Sequence, residues 1–128
     1  MGEVARKIVL VVEDDESVRT LVAKSLMAKG YQVEQAADGL KASELLGRLK
    51  PPPDLLICDV MMPGFDGYSL VKLVKSMPEL RGLPVIFLTA KTTPADMIHG
   101  INLGARFYVP KPFAIKDLLD KVAKALLR

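Results

Sequence analysis

What this chain has little of narrows its function before any motif is read. Its single cysteine, Cys58, can form no internal disulfide. Cys58 lies in an apolar run and reads as a buried structural thiol, which makes a reducing cytoplasm the natural compartment. The one histidine, His99, has no second histidine and no cysteine near it, so it reads as a surface or locally satisfied ring rather than a metal ligand. Aromatic residues make up 5% of the chain, and its basic residues are scattered with no arginine-rich segment. A net charge of +3 therefore points to an acidic partner surface at most, with no direct nucleic-acid binding expected. No apolar run approaches the roughly 20 residues of a membrane span. The opening residues, Met1 to Lys7, lack the apolar core of an export signal, and Gly2 is followed by Arg6 where a myristoylation motif needs serine or threonine. There is no internal repeat, no low-complexity segment and no glycine-rich phosphate loop after the first apolar run, where acids stand instead.

What is present is a regular alternation. At 128 residues, half of them hydrophobic, the chain has the length of one domain with a full core, and residues 1–128 are expected to form a single domain. Ile8 to Val12 and Leu55 to Cys58 are apolar throughout, as strands buried on both faces are. Val85 to Thr89 reads as another such strand, Tyr31 to Ala36 as a less buried one, and Arg106 to Val109 as a short fifth. Between them run helical stripes: Val18, Leu21, Val22, Ser25 and Leu26; Ala42, Leu45, Leu46 and Leu49; Leu70, Leu73, Val74 and Met77; and, last, Ile115, Leu118, Leu119, Val122, Ala123 and Leu126. Thr93-Pro94-Ala95-Asp96 carries the cap, proline and first-turn acid of a helix start, and that helix runs to about Leu103 before Gly104. Asp38-Gly39 and Asp66-Gly67 mark two more starts, while Pro51-Pro52-Pro53 is a short rigid loop. Five βα units with short connections predict an α/β fold with parallel strands and right-handed crossovers.

On this scheme the unusual polar residues gather at one edge. Glu13 and Asp14 follow the first strand, Asp59 ends the third, Thr89 ends the fourth, and Lys111 follows the fifth. That edge, the carboxyl ends of the strands, is where open α/β sheets bind ligands. Clustered carboxylates repel unless a cation joins them, and oxygen donors suit Mg²⁺ or Mn²⁺. A carboxylate is a competent nucleophile toward phosphorus and yields an acyl phosphate. A lysine ammonium and a threonine hydroxyl are suited to phosphoryl oxygens. Each residue taken singly also fits a plain role, as helix-dipole partner, cap, strand end or solvated loop lysine; their convergence is what selects the chemical reading.

The blocks Val11-Val12-Glu13-Asp14-Asp15-Glu16-Ser17-Val18-Arg19, Asp59-Val60-Met61-Met62-Pro63-Gly64-Phe65-Asp66-Gly67, Leu88-Thr89-Ala90 and Val109-Pro110-Lys111-Pro112-Phe113 resemble, in order, the signature blocks of response-regulator receiver domains. The resemblance implies a flavodoxin-like, three-layer sandwich with a five-stranded sheet of order 2-1-3-4-5. It implies that Asp59 accepts a phosphoryl group from a histidine kinase or histidine phosphotransfer protein. Glu13 and Asp14 would hold the metal with Asp59 and the Met61 backbone carbonyl, Thr89 and Lys111 would contact the phosphoryl oxygens, and the Lys111–Pro112 bond would be cis. Tyr108 matches the family's aromatic switch residue, turning inward as Thr89 moves toward the phosphate. The face of the fourth helix, fifth strand and last helix would then signal to a partner. Met61 and Lys91 occupy the two positions that tune phosphate lifetime; neither is an acid or amide, which implies slow self-dephosphorylation. Glu13 stands where aspartate is commoner, a frequent substitution.

Two rival readings fare worse on the residues. A small magnesium-dependent phosphatase would place a second acid two residues after Asp59, where Met61 stands. A flavin or nucleotide domain would need a glycine-rich loop where Glu13 and Asp14 stand. The expectation is thus a phosphoacceptor rather than an enzyme with a substrate of its own. The downstream partner or fused output domain, and the choice between monomer and phosphorylation-dependent dimer, stay open; no output domain lies in these residues.

Overall fold

Runs of β-branched and aliphatic residues without polar alternation become strands covered on both sides, and the helices between them supply the cover. The computed structural model describes residues 6–127; Gly2 with the rest of the opening segment, and Arg128, lie outside the described residues. The elements are β1 (Ile8–Val12), α1 (Glu16–Ala28), β2 (Gln32–Ala36), α2 (Gly39–Arg48), β3 (Leu55–Cys58), α3 (Gly67–Ser76), a single 3₁₀ turn (Pro78–Leu80), β4 (Val85–Thr89), α4 (Pro94–Asn102), β5 (Phe107–Pro110) and α5 (Ile115–Leu126). All strands are parallel, in the order β2-β1-β3-β4-β5, which is the flavodoxin-like arrangement expected.

The pleat splits the core into two apolar layers. Val9, Val11, Leu55, Ile57, Ile86 and Leu88 point to one face and pack with Val22 and Leu26 of α1 and Leu118 and Val122 of α5. Leu10, Val12, Leu56, Cys58, Val85 and Phe87 point to the other and meet Ala42 and Leu46 of α2 and Leu70, Val71 and Val74 of α3. Every residue of β1, β3 and β4 is buried, whereas β2, at the sheet edge, is mostly not. Each fully buried aliphatic side chain contributes about 1.5–3 kcal/mol. The thiol of Cys58 is buried, and that burial, with Asp59 beside it, pushes it well above its ordinary range.

The helix starts follow the capping residues. Asp38 and Asp66 accept the N–H groups of Lys41 and Ser69, and Thr93 with Asp96 forms a reciprocal capping box at α4. Not every stripe is core, however. Leu21 is 51% exposed, Leu73 is 36% exposed and Ala123 is exposed, while Ala23, Val71 and Ala125 are buried instead. The buried set of α3, Gly67, Leu70, Val71 and Val74, keeps strict helical spacing, and Leu73 falls off that seam. Strand boundaries also shift by one: β2 begins at Gln32 rather than Tyr31, and β5 at Phe107 rather than Arg106. α2 ends at Arg48, with Leu49 as its cap. Of the methionine pair, Met62 packs into the core while Met61 is 57% exposed.

Gly67 sets how closely α3 approaches the end of β3. A Cβ at this position would lie 2.1 Å from the Asp59 carbonyl oxygen and 2.9 Å from the Val60 Cα, both backbone atoms. Gly47, by contrast, sits within α2 with nothing within 4 Å of an added Cβ. The expected outcome is a pair of opposite signs in urea unfolding. Gly67→Ala should lose about 2–3 kcal/mol or more through backbone overpacking, and Gly47→Ala should gain about 0.5 kcal/mol from helix propensity. Equal shifts in the two variants would contradict this account.

Candidate functional site

The site is assembled from strand ends that the parallel sheet aligns. Asp59 is the first residue past β3, and its N–H donates to the Val12 carbonyl at 3.0 Å, extending the ladder between β1 and β3 by one residue. Its carboxylate is therefore held by the sheet itself, and the residue is only 5% exposed. Oδ1 accepts the Met61 N–H at 3.0 Å, and Oδ2 accepts the Lys111 ammonium at 2.9 Å. Glu13, the first residue past β1, is pinned through its N–H to the Ala36 carbonyl of β2. Its Oε1 accepts from Lys111 Nζ at 2.6 Å and its Oε2 from the Asp15 N–H at 3.1 Å. Lys111 reaches both acids from the loop after β5, where its N–H donates to the Thr89 carbonyl and the Lys111–Pro112 bond is cis, as expected.

One ammonium thus faces two buried carboxylates, with a third beside them. Ligand oxygens of Glu13, Asp14 and Asp59 lie within 4.8 Å of one another, and Asp14 is the exposed member. Burial lifts the Glu13 carboxyl above its ordinary value, against the pull of the Lys111 hydrogen bond. Burial also works against the Lys111 charge, but the hydrogen bonds that Lys111 donates to Glu13 and Asp59 outweigh it and hold that ammonium above its ordinary value. Three carboxylates against one ammonium leave net negative charge and hard oxygen donors, a set that fits a small divalent cation. A cleft of about 600 Å³ opens at Asp14, walled by Leu40, Pro63 and Phe65.

A second set of contacts leads away from the acids. Thr89 is wholly buried at the end of β4, and its Oγ1 accepts the Lys91 N–H at 3.2 Å. The Lys91 carbonyl accepts the Tyr108 hydroxyl at 2.5 Å. The Lys91 side chain runs to α4, with Nζ 3.7 Å from Asp96 Oδ1. Tyr108 already lies inward, 9% exposed, with its ring tilted against Phe87.

The structure therefore brings Glu13, Asp14, Asp59 and Lys111 together, and joins Thr89 to Tyr108 through the backbone of Lys91. Three contributors had no role assigned from the sequence, although Asp15 and Arg19 lie in its first signature block. Arg19 donates to the Glu13 carbonyl at 2.7 Å, fixing the loop after β1. A basic residue near the start of a helix opposes the dipole, and that was the available signal. Asp15 caps α1 through the N–H groups of Ser17 and Val18 as well as bonding Glu13. Tyr68 of α3 has its hydroxyl 3.1 Å from the Asp96 carbonyl and 3.2 Å from the Tyr108 hydroxyl; nothing in its spacing distinguished it from a packing residue. His99, read as surface or satisfied, is exposed, with its ring edge-on to Tyr68 at 4.6 Å.

Comparison with known proteins gives a consistent picture. The family model described as response regulator receiver domain matches residues 9–123. The response regulator MprA of Mycobacterium leprae is 41% identical over 120 residues, covering 94% of this chain and 50% of that protein. The chain thus spans about half the length of the curated relatives it matches. The crystallised chemotaxis protein CheY4 of Vibrio cholerae superposes with a TM-score of 0.88 at 34% identity, covering 95% of this chain and 100% of that one. The signal receiver domain of a signal transduction histidine kinase from Syntrophus aciditrophicus gives 0.85 at 35% identity, covering 94% and 89%.

Removing the ammonium tests the electrostatics of the cluster directly. Lys111→Met should leave Glu13 and Asp59 as uncompensated neighbours and cost about 3 kcal/mol in chelator, slightly less if water reaches the acids. A divalent cation should then recover much of that loss and bind more tightly than to the unaltered chain. Calorimetric titration with Mg²⁺, beside urea melts with and without EDTA, reads both; equal cation affinity in the two proteins would refute the competition.

Proposed function

The chain belongs to the response-regulator receiver family, and from that membership we propose that Asp59 is a phosphoacceptor fed by a histidine kinase or histidine phosphotransfer protein. The observation that carries this reading is the placement of Asp59. Its carboxylate is fixed by Met61 N–H and Lys111 Nζ, beside two further acids, at the mouth of the sheet. One carboxylate oxygen attacks the phosphorus of a phosphohistidine. The phosphorus–oxygen bond forms as the phosphorus–nitrogen bond breaks, and the departing imidazole takes up a proton. Glu13, Asp14, Asp59 and the Met61 carbonyl would hold a magnesium or manganese ion, which would supply charge neutralisation for the phosphoryl oxygens. Lys111 then transfers its attention from the free carboxylate to a phosphoryl oxygen, and the Thr89 hydroxyl, whose oxygen is already engaged as an acceptor, donates to another. The N–H of Met61 stays on the acceptor side chain and helps fix its orientation.

Hydrolysis returns the acid when water attacks the phosphorus and inorganic phosphate leaves. The chain thus catalyses only its own modification and its reversal. Neither neighbour of the acceptor is built to hold that water: Met61 projects into solvent, and Lys91 is paired with Asp96. Slow self-dephosphorylation follows. Phosphorylation biases a two-state arrangement of α4, β5 and α5, which a downstream protein or a covalently attached output domain reads. No described helix is long and apolar enough to cross a membrane, and a histidine kinase's phosphodonor site in the cytoplasm is the matching compartment.

Intact mass after incubation with acetyl phosphate and Mg²⁺ is the decisive measurement. One phosphoryl adduct should form, require the cation, and vanish in Asp59→Asn. Its decay after removal of the donor should take minutes or longer. A folded, metal-binding protein that gains no adduct would overturn the proposal, and decay within seconds would overturn the roles given to Met61 and Lys91.

A further inference from the structure

Two phenols on the α4 side of the site make three contacts, and they have only two protons between them. The Tyr108 hydroxyl lies 2.5 Å from the Lys91 carbonyl, and the Tyr68 hydroxyl lies 3.1 Å from the Asp96 carbonyl. The two hydroxyls are 3.2 Å apart. Each phenol donates one hydrogen and a carbonyl donates none. Burial and the neighbouring Tyr68 hydroxyl raise the Tyr108 phenol above its ordinary value, so that hydroxyl keeps its proton at neutral pH. Two of the three contacts can be hydrogen bonds at any moment. The shortest assigns the Tyr108 proton to Lys91.

The Tyr68 proton then has two destinations with different consequences. Given to Asp96, it leaves two phenol oxygens facing each other without a hydrogen between them. Given to Tyr108, it completes a chain from Tyr68 through Tyr108 to the Lys91 carbonyl, and donation into Tyr108 makes that hydroxyl a better donor in turn. The Lys91 N–H continues the line to Thr89 Oγ1. The seat of Tyr108 is tight as well: a Cβ at Gly100 would come within 2.7 Å of its ring. Tyr68 is itself fixed, edge-on to Phe87 at 5.4 Å and to His99 at 4.6 Å, so its hydroxyl has little freedom to leave.

We propose that Tyr68 is a positioning residue whose hydroxyl holds Tyr108 inward, and that it thereby sets how far the α4–β5–α5 face depends on Asp59 phosphorylation. The first clause concerns the chain as it folds; the second rests on the function proposed above. Tyr68 is carried by α3, outside the face that is read, so it biases the equilibrium without touching a partner bound there.

The chain has three tyrosines, so 3-fluorotyrosine incorporation gives three assignable ¹⁹F signals. Tyr68→Phe keeps the ring against Phe87 and His99 and removes only the hydroxyl. The Tyr108 signal should move toward that of Gly100→Ala, in which the added methyl displaces the ring and supplies the outward reference. The inward-to-outward ratio should fall about fivefold, the effect of losing one neutral hydrogen bond. Beryllofluoride with Mg²⁺ should then drive the signal back inward, by a larger change in Tyr68→Phe than in the unaltered chain. A Tyr108 signal unmoved by Tyr68→Phe would overturn the proposal, since packing alone would then seat the ring. A shift in Tyr68→Phe that beryllofluoride leaves untouched would uphold the latch and overturn its link to phosphorylation. An absent acyl-phosphate adduct on Asp59 would separately identify the function as the failing premise.

Discussion

The contact on which the rest depends is the ammonium of Lys111 against the carboxylates of Glu13 and Asp59, at 2.6 and 2.9 Å. Those acids are 3% and 5% exposed, and burying two negative charges side by side is strongly unfavourable without a partner. The partner comes from far along the chain, 98 residues from one acid and 52 from the other. The strand order that puts β1 beside β3, and the loop after β5 that turns back toward them, are therefore conditions for having the acids buried at all. The same pairing leaves the cluster unfinished. A single ammonium set against two buried carboxylates, with Asp14 beside them, holds the site together and leaves oxygen donors that fit a cation.

Parallel topology explains why so few residues suffice. In this sheet every strand leaves toward the same edge, so a residue placed just after a strand falls at the site without further instruction. The backbone then supplies the precision. Asp59 continues the β1–β3 ladder, Glu13 continues the pairing of β1 with β2, and Lys111 returns to the carbonyl of Thr89. Gly67 lets α3 begin against the Asp59 carbonyl, which keeps the acceptor loop short. Side chains mounted on such fixed backbone lose little entropy when they act, which suits the phosphoacceptor role proposed for Asp59.

Legibility followed the range of the interaction. The buried strands, the caps at Asp38, Asp66 and Thr93, and the gathering of Glu13, Asp14, Asp59, Thr89 and Lys111 were readable because composition, local hydrogen bonding and topology decide them. The helix faces were readable only in part. Leu21 and Leu73 are as apolar as their buried neighbours, and which of two adjacent apolar residues faces the sheet depends on a rotation of the helix that its own sequence does not set. Small residues such as Ala23 and Ala125 fill seams where helix and sheet come closest, and their small apolar surface gives them little weight in a hydrophobic pattern. Arg19 reaches a backbone carbonyl and Tyr68 a hydroxyl and a carbonyl of other segments, contacts that no spacing rule encodes.

The geometry of Lys91 gives the phosphorylation proposed at Asp59 a route from Thr89 to Tyr108 and α4. Its N–H is held by Thr89 and its carbonyl by Tyr108, so one residue's two peptide groups join the end of β4 to the ring on β5. Its side chain adds a third tie, to Asp96 in the first turn of α4, although that pair is partly solvent-exposed and weak by itself. Under the proposed function, movement of Thr89 toward a phosphoryl oxygen draws on Tyr108 and α4, because Lys91 is tied to all three. A packed interior resists graded deformation and favours discrete arrangements. The Gly100 notch offers the Tyr108 ring one such arrangement, and its hydrogen bonds decide how firmly it is occupied.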